Sequence, residues 1–116
     1  MESKENRRFN RLRAAISCSV AWKDGIYRAQ VTNLSHGGAL IMRAGRLPEE
    51  GAPVVVVLQV SQEEIRFRAQ VRQIADNDQP ASFGIEFRES SQQIESKLIR
   101  LMEILYPDDE ETEAED

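Results

Sequence analysis

Three guanidiniums fall within five residues in Arg7-Arg8-Phe9-Asn10-Arg11. Arginine suits phosphate because it is a flat, permanently charged fork with five donors. Some twenty residues on comes a second cluster, Asn33-Leu34-Ser35-His36-Gly37-Gly38. Its small side chains form hydrogen bonds, and its glycines let a backbone or a ligand come close. Together the clusters suit an anionic ligand that also forms hydrogen bonds. Taken separately, the first also fits a solvated charged tail and the second a plain turn.

The elements that must carry these residues follow from periodicity. Ile16, Cys18, Val20 and Trp22 alternate with polar or small residues, which predicts a half-buried strand. Lys23-Asp24-Gly25 predicts a tight turn, with the Asp-Gly pair supplying a positive φ. The chain returns through Tyr27, Ala29 and Val31, so strands one and two make a hairpin and Asn33 falls at the end of the second. A short apolar run over 39–42 follows, then a loop over 43–52. Pro53 opens a valine-rich strand over 54–60. Its continuous apolar character predicts protein on both sides or a strand crossing the barrel interior. After a polar turn at 61–64, Ile65, Phe67, Ala69 and Val71 point in while Arg66, Arg68, Gln70 and Arg72 point out. The turn cluster 76–80 precedes a last strand, with Phe83, Ile85 and Phe87 inward and Gly84 and Glu86 outward.

The period then changes. Ser90 and Ser91 are candidate helix caps, and Gln93 completes a capping box. Ile94, Leu98, Leu101, Met102 and Leu105 form one stripe at helical spacing, and Pro107 ends it. Two readings remain for that stripe: packing on the barrel or docking a partner. Six short strands joined by Gly, Asp and Pro turns, followed by one helix, predict a small closed or nearly closed barrel.

Charge is distributed unevenly. The net charge is −5, but residues 108–116 hold seven acids and no base; without them 13 acids face 15 bases, 12 of which are arginine. The tail is expected to be a disordered extension, or else a mask over the basic site or a contact for a partner. The longest apolar run is strand-sized, and residues 1–6 lack the apolar core of a signal peptide, so no membrane insertion and a cytoplasmic location are expected. The one cysteine, Cys18, lies on an apolar face and is expected to be buried.

No catalytic set is legible. One histidine and one distant cysteine make no metal site. Ser35 and His36 are adjacent and point apart, which suits no nucleophile–base pair. Glu49-Glu50 and Glu63-Glu64 fall in turns, and no phosphate-binding glycine loop is present. The chain is read as a binding protein, not an enzyme, with no metal and no cofactor.

Arg7-x-x-x-Arg11 ahead of a first barrel strand, and Asn33-x-Ser35-x-x-Gly38 after the second, resemble the paired motifs of the PilZ domain. Phe83-Gly84-Ile85-Glu86-Phe87 is similar to that family's closing Gly-x-x-Phe strand. The resemblance spans about residues 5–106. It implies an all-β fold with a C-terminal helix: a six-stranded antiparallel barrel over 7–106, helix about 91–105, between a flexible 1–6 and an acidic tail 107–116. It also implies a ligand, the bacterial second messenger cyclic di-GMP, held by Arg7, Arg8, Arg11, Asn33, Ser35 and Gly38. Arg72 falls near where relatives place a side chain that stacks on guanine, and Arg13 is a second weaker candidate. A chain of this size is expected to act as a stand-alone receptor on an effector protein, motility or exopolysaccharide machinery being examples. The alternative is a nucleotide-independent interaction module working through the helix and acidic tail. A barrel that binds single-stranded nucleic acid needs exposed aromatics beside a basic groove; most of the seven aromatics sit at inward positions, so no nucleic acid is expected.

Overall fold

The structure, a computed structural model, describes residues 15–23, 25–77 and 79–107. Arg7, Arg8, Arg11, Arg13, Asp24 and the tail 108–116 lie outside the described residues. Six strands and one helix follow in order: β1 (Ile16–Trp22), β2 (Gly25–Leu34), β3 (Gly38–Arg43), β4 (Pro53–Val60), β5 (Glu63–Ala75), β6 (Ala81–Phe87) and α1 (Ser91–Leu105). All pairings are antiparallel, and the strands close into a barrel in the order β1-β2-β3-β6-β5-β4.

Alternation puts one face of each strand into a common core. Cys18, Val20, Val31, Ile41, Val56, Leu58, Phe67, Val71 and Phe83 are almost fully buried. Phe67 and Phe87 stack inside with centroids 4.4 Å apart. Near the β1–β2 turn, Trp22 stacks on Tyr27 at 4.1 Å. Burial drives the Cys18 thiol up to about 12, which leaves it protonated and inert as a nucleophile.

Helix α1 begins as the capping box predicts. Ser90 Oγ accepts from the Gln93 amide, and the Gln93 side chain accepts from the Ser90 amide. Ile94, Leu98 and Leu101 join the barrel core, while Met102 and Leu105 are half-buried. The helix is also latched by charge. Lys97 Nζ donates to the Arg66 carbonyl and to Glu89 Oε1, and Glu89 Oε2 accepts from the Arg68 amide. Arg100 pairs with Glu63 and Glu103.

Three expectations need correction. β4 does not cross the interior: it is a barrel stave, with Val54, Val56, Leu58 and Val60 buried and Val55 and Val57 half-buried on the outer side. Among the described residues of the first turn, the positive φ is at Lys23 (φ 54°) and not at Gly25, which is paired with Trp22 as the first residue of β2; Asp24 lies outside the described residues. The polar turn after β4 is only Ser61 and Gln62, with Ser61 at φ 54°.

Candidate functional site

The register of the strands makes a site on the outside of the barrel. Val31 pairs with Ile41, but the next pair is Asn33 with Leu40, so β2 carries one extra residue. Val31 and Leu34 are both buried. The bulge between them therefore turns both Thr32 and Asn33 to the outer face, which strict alternation forbids. Thr32 Oγ1 donates to the Leu40 carbonyl at 3.5 Å.

A second bulge lies in β5. Val71 pairs with Ile85, and the next pair is Gln73 with Gly84, so Arg72 is extra and both Arg72 and Gln73 are exposed. The two bulges fall on the same rung. Read across the sheet, that rung is Asn33, Leu40, Gly84 and Gln73. It spans three strand spacings, about 14 Å. Its middle is low: Leu40 is 39 % exposed, and Gly84 has no side chain and open space where one would stand. Polar groups wall both ends. A flat, partly apolar floor between hydrogen-bonding walls is a surface on which a heteroaromatic base can lie.

The next outward rung is Gly38, Glu86 and Gln70. Glu86 lies 3.6 Å from Arg72 Nε and 3.9 Å from Arg88 Nη1, all three side chains being about half exposed. Arg88 follows β6, where its amide donates to the Arg68 carbonyl. Beyond Arg88 opens a cavity of ≈ 620 Å³ lined by Trp22, Lys23, Pro53, Arg68 and Gln70 among others.

The turn from β2 to β3 holds the rest of the second motif. The Ser35 amide donates to the Gly38 carbonyl at 2.9 Å, and Ser35 Oγ reaches the same oxygen at 3.5 Å. The Phe87 amide donates to the Gly37 carbonyl, carrying the β3–β6 ladder into the turn. Gly38 has a reason internal to the barrel. A Cβ there would overlap the Ile85 carbonyl oxygen and lie 2.9 Å from its carbon and 3.2 Å from Glu86 Cα. Glycine is needed so that β3 and β6 can approach, whatever lies outside.

Asn33, Ser35 and Gly38 are thus brought to one edge of the outer face, and Arg72 stands at the other. Arg7, Arg8, Arg11 and Arg13 are outside the described residues. The segment that carries them enters the barrel at Ile16, which pairs with Val31, two residues along β2 from Asn33. Glu86, Arg88 and the Leu40–Gly84 floor were not read as site residues from sequence. Glu86 and Gly84 were placed outward, but their neighbours come from strands far away in the chain, and no local signal marks them. Among the described residues, no three His, Cys, Asp or Glu side chains gather where a metal could bind, and no helix is long and apolar enough to cross a membrane.

The comparisons with known proteins agree with this architecture. In structure the chain is similar to the PilZ domain of CeSA from a cellulose-synthesizing bacterium, with TM-score 0.62, 24 % identity and coverage of 79 % of this chain and 93 % of that one. It is also similar to the Bacillus subtilis inhibitor of motility, MotI/DgrA, with TM-score 0.63 and 19 % identity; 86 % of this chain aligns with 54 % of that one. These likenesses concern the fold. No curated protein matches the chain. The model of the PilZ domain matches residues 5–103, taking in both arginine and Asn-x-Ser-x-x-Gly motifs, every strand and most of α1. By that match the chain belongs to the PilZ domain family, a family of cyclic di-GMP receptors rather than enzymes.

Proposed function

We propose that this chain is a cyclic di-GMP receptor in which Arg7 and Arg11, with Arg8 beside them, close over a ligand held against Asn33, Ser35 and Gly38. The observation that carries this reading is the bulge at Thr32–Asn33. It turns the Asn33 side chain onto the outer face beside the point where the arginine-bearing segment joins β1. Guanidiniums fork to phosphate oxygens or to the O6/N7 edge of guanine. The Asn33 amide offers a donor and an acceptor to a base edge. Ser35 adds a hydroxyl that is only loosely held by its own turn. Arg72 stands about 14 Å across the floor, where a guanidinium plane can stack on a second base; Arg13 remains a lesser candidate.

Holding the arginine segment against the barrel costs roughly 1–2 kcal/mol per residue fixed. Charge-assisted hydrogen bonds at roughly 1.5–3 kcal/mol each offset that cost only if several form together. Binding is therefore expected to need both arginines at once. The surface rearranged by closure is what a partner protein reads, and the action is cytoplasmic.

The test is calorimetry with cyclic di-GMP, GTP and a linear dinucleotide. Wild type binds the cyclic ligand, whereas Arg7→Ala and Arg11→Ala each abolish binding while the thermal midpoint stays put. If either variant binds like wild type, the clasp is wrongly assigned. If wild type binds nothing at high micromolar ligand, the chain is instead a nucleotide-independent interaction module.

A further inference from the structure

Glu86 is an acid on a face that would receive a ligand with two phosphates. It pairs with Gly38 of the motif on one side and with Gln70 on the other. Along β6 it lies two residues from Gly84, the bare centre of the floor, and so on the same outer side. Both of its arginine contacts run through one oxygen, Oε1, at 3.6 Å and 3.9 Å. Those lengths are ion pairs rather than hydrogen bonds. The arginines offset the charge of the carboxylate while leaving its hydrogen-bonding capacity open.

A carboxylate beside an anionic ligand opposes binding unless it meets donors. The ligand's donors are its two ribose 2′-hydroxyls and its bases, and only a base edge sets two donors side by side. Guanine presents N1–H and N2–H₂ side by side on its Watson–Crick edge, and the two oxygens of one carboxylate accept both at once. Adenine offers a donor next to an acceptor there, so it cannot satisfy the same pair. Hypoxanthine keeps N1–H and lacks the amino group.

The geometry points to Glu86 as the residue that selects guanine, with Arg72 and Arg88 flanking its carboxylate and Leu40 and Gly84 supporting the base. This rests on the cyclic di-GMP reading above. It adds to that reading a specificity determinant outside the arginine and Asn-x-Ser-x-x-Gly motifs.

The experiment titrates cyclic di-GMP, cyclic di-IMP and cyclic di-AMP into wild type, Glu86→Gln and Glu86→Ala, with a thermal melt of each protein. Glu86 is exposed, so the melts are expected to coincide. A bidentate pair discriminates bases by roughly 5- to 150-fold. Glu86→Gln should weaken cyclic di-GMP by a factor in that range and bring it level with cyclic di-IMP. If Glu86→Gln binds cyclic di-GMP as tightly as wild type or more tightly, or keeps the preference over cyclic di-IMP, the carboxylate only balances Arg72 and Arg88 and the inference falls alone. A wild type that binds no cyclic di-GMP overturns this inference together with the receptor reading.

Discussion

Replacing Gly38 with alanine sets the barrel's own packing against the demands of a ligand. The new methyl would overlap the Ile85 carbonyl oxygen and lie 2.9 Å from its carbon, and both are backbone atoms. Comfortable carbon contacts need about 3.5–4.0 Å, so β3 and β6 must part by roughly 1 Å or more. The Phe87 N–H bond to the Gly37 carbonyl and the Gly38–Glu86 rung lie at that point. Losing one or two such bonds costs about 0.5–1.5 kcal/mol each, and residual crowding costs about 1–3 kcal/mol. We expect about 2–4 kcal/mol of lost stability. At about 4–8 °C per kcal/mol for a domain of this size, the midpoint falls by roughly 8–32 °C. Circular dichroism melts and urea titrations measure this. Gly84→Ala is the internal control. Its Cβ meets nothing within 4 Å, so stability should hold within about 0.5 kcal/mol, while the methyl rises from the floor and lowers cyclic di-GMP affinity. If Gly38→Ala melts within about 3 °C of wild type yet loses binding, the steric argument is wrong and Gly38 serves the ligand alone.

Two further expectations concern titratable groups. Burial works to raise the Glu89 pKa, but hydrogen bonds from Lys97 and from the Arg68 amide outweigh it and hold the carboxylate below its ordinary value. A carboxylate depressed on folding adds stability above its unfolded pKa, about 4.3, and that stability is lost as pH falls through the folded value. The wild-type midpoint should thus fall more steeply than that of Glu89→Gln below about pH 4.3; parallel curves would show that the latch contributes nothing electrostatic. Cys18, with its pKa driven up to about 12, should resist a thiol reagent at neutral pH and react at the rate of global opening. Fast labelling without denaturant would contradict a closed barrel around β1.

Much of this fold is legible in the chain. Strands whose outward residues are charged, such as Arg66, Arg68 and Arg72 on β5, declare their buried face through period two alone. The helix is marked by Ser90, Gln93 and a stripe with a clear repeat. What escapes reading is whatever depends on pairing between distant strands. The bulges at Thr32–Asn33 and Arg72–Gln73 exist only relative to β3 and β6, so no window of sequence contains them. The valine run of β4 was ambiguous because period two disappears when both faces are apolar. In sequence Gly38 reads as an opening for a ligand, although its nearest constraint is the backbone of β6, nearly fifty residues away. Glu86 between Arg72 and Arg88 is likewise a product of register rather than of local spacing.

Closure of the sheet limits how another protein can recognise this one. β1 pairs with both β2 and β4, and the ring completes through β3, β6 and β5. Among the described strands there is no free edge. A partner therefore cannot add a strand to the sheet and draw affinity from main-chain hydrogen bonds, as recognition by strand addition does. Among the described residues, what remains to be read is side chains on the staves, the turn 35–38 and the outer surface of α1. Recognition of such surfaces rests on side-chain shape and charge, so a substitution on a stave changes the contact without disturbing the main-chain ladder.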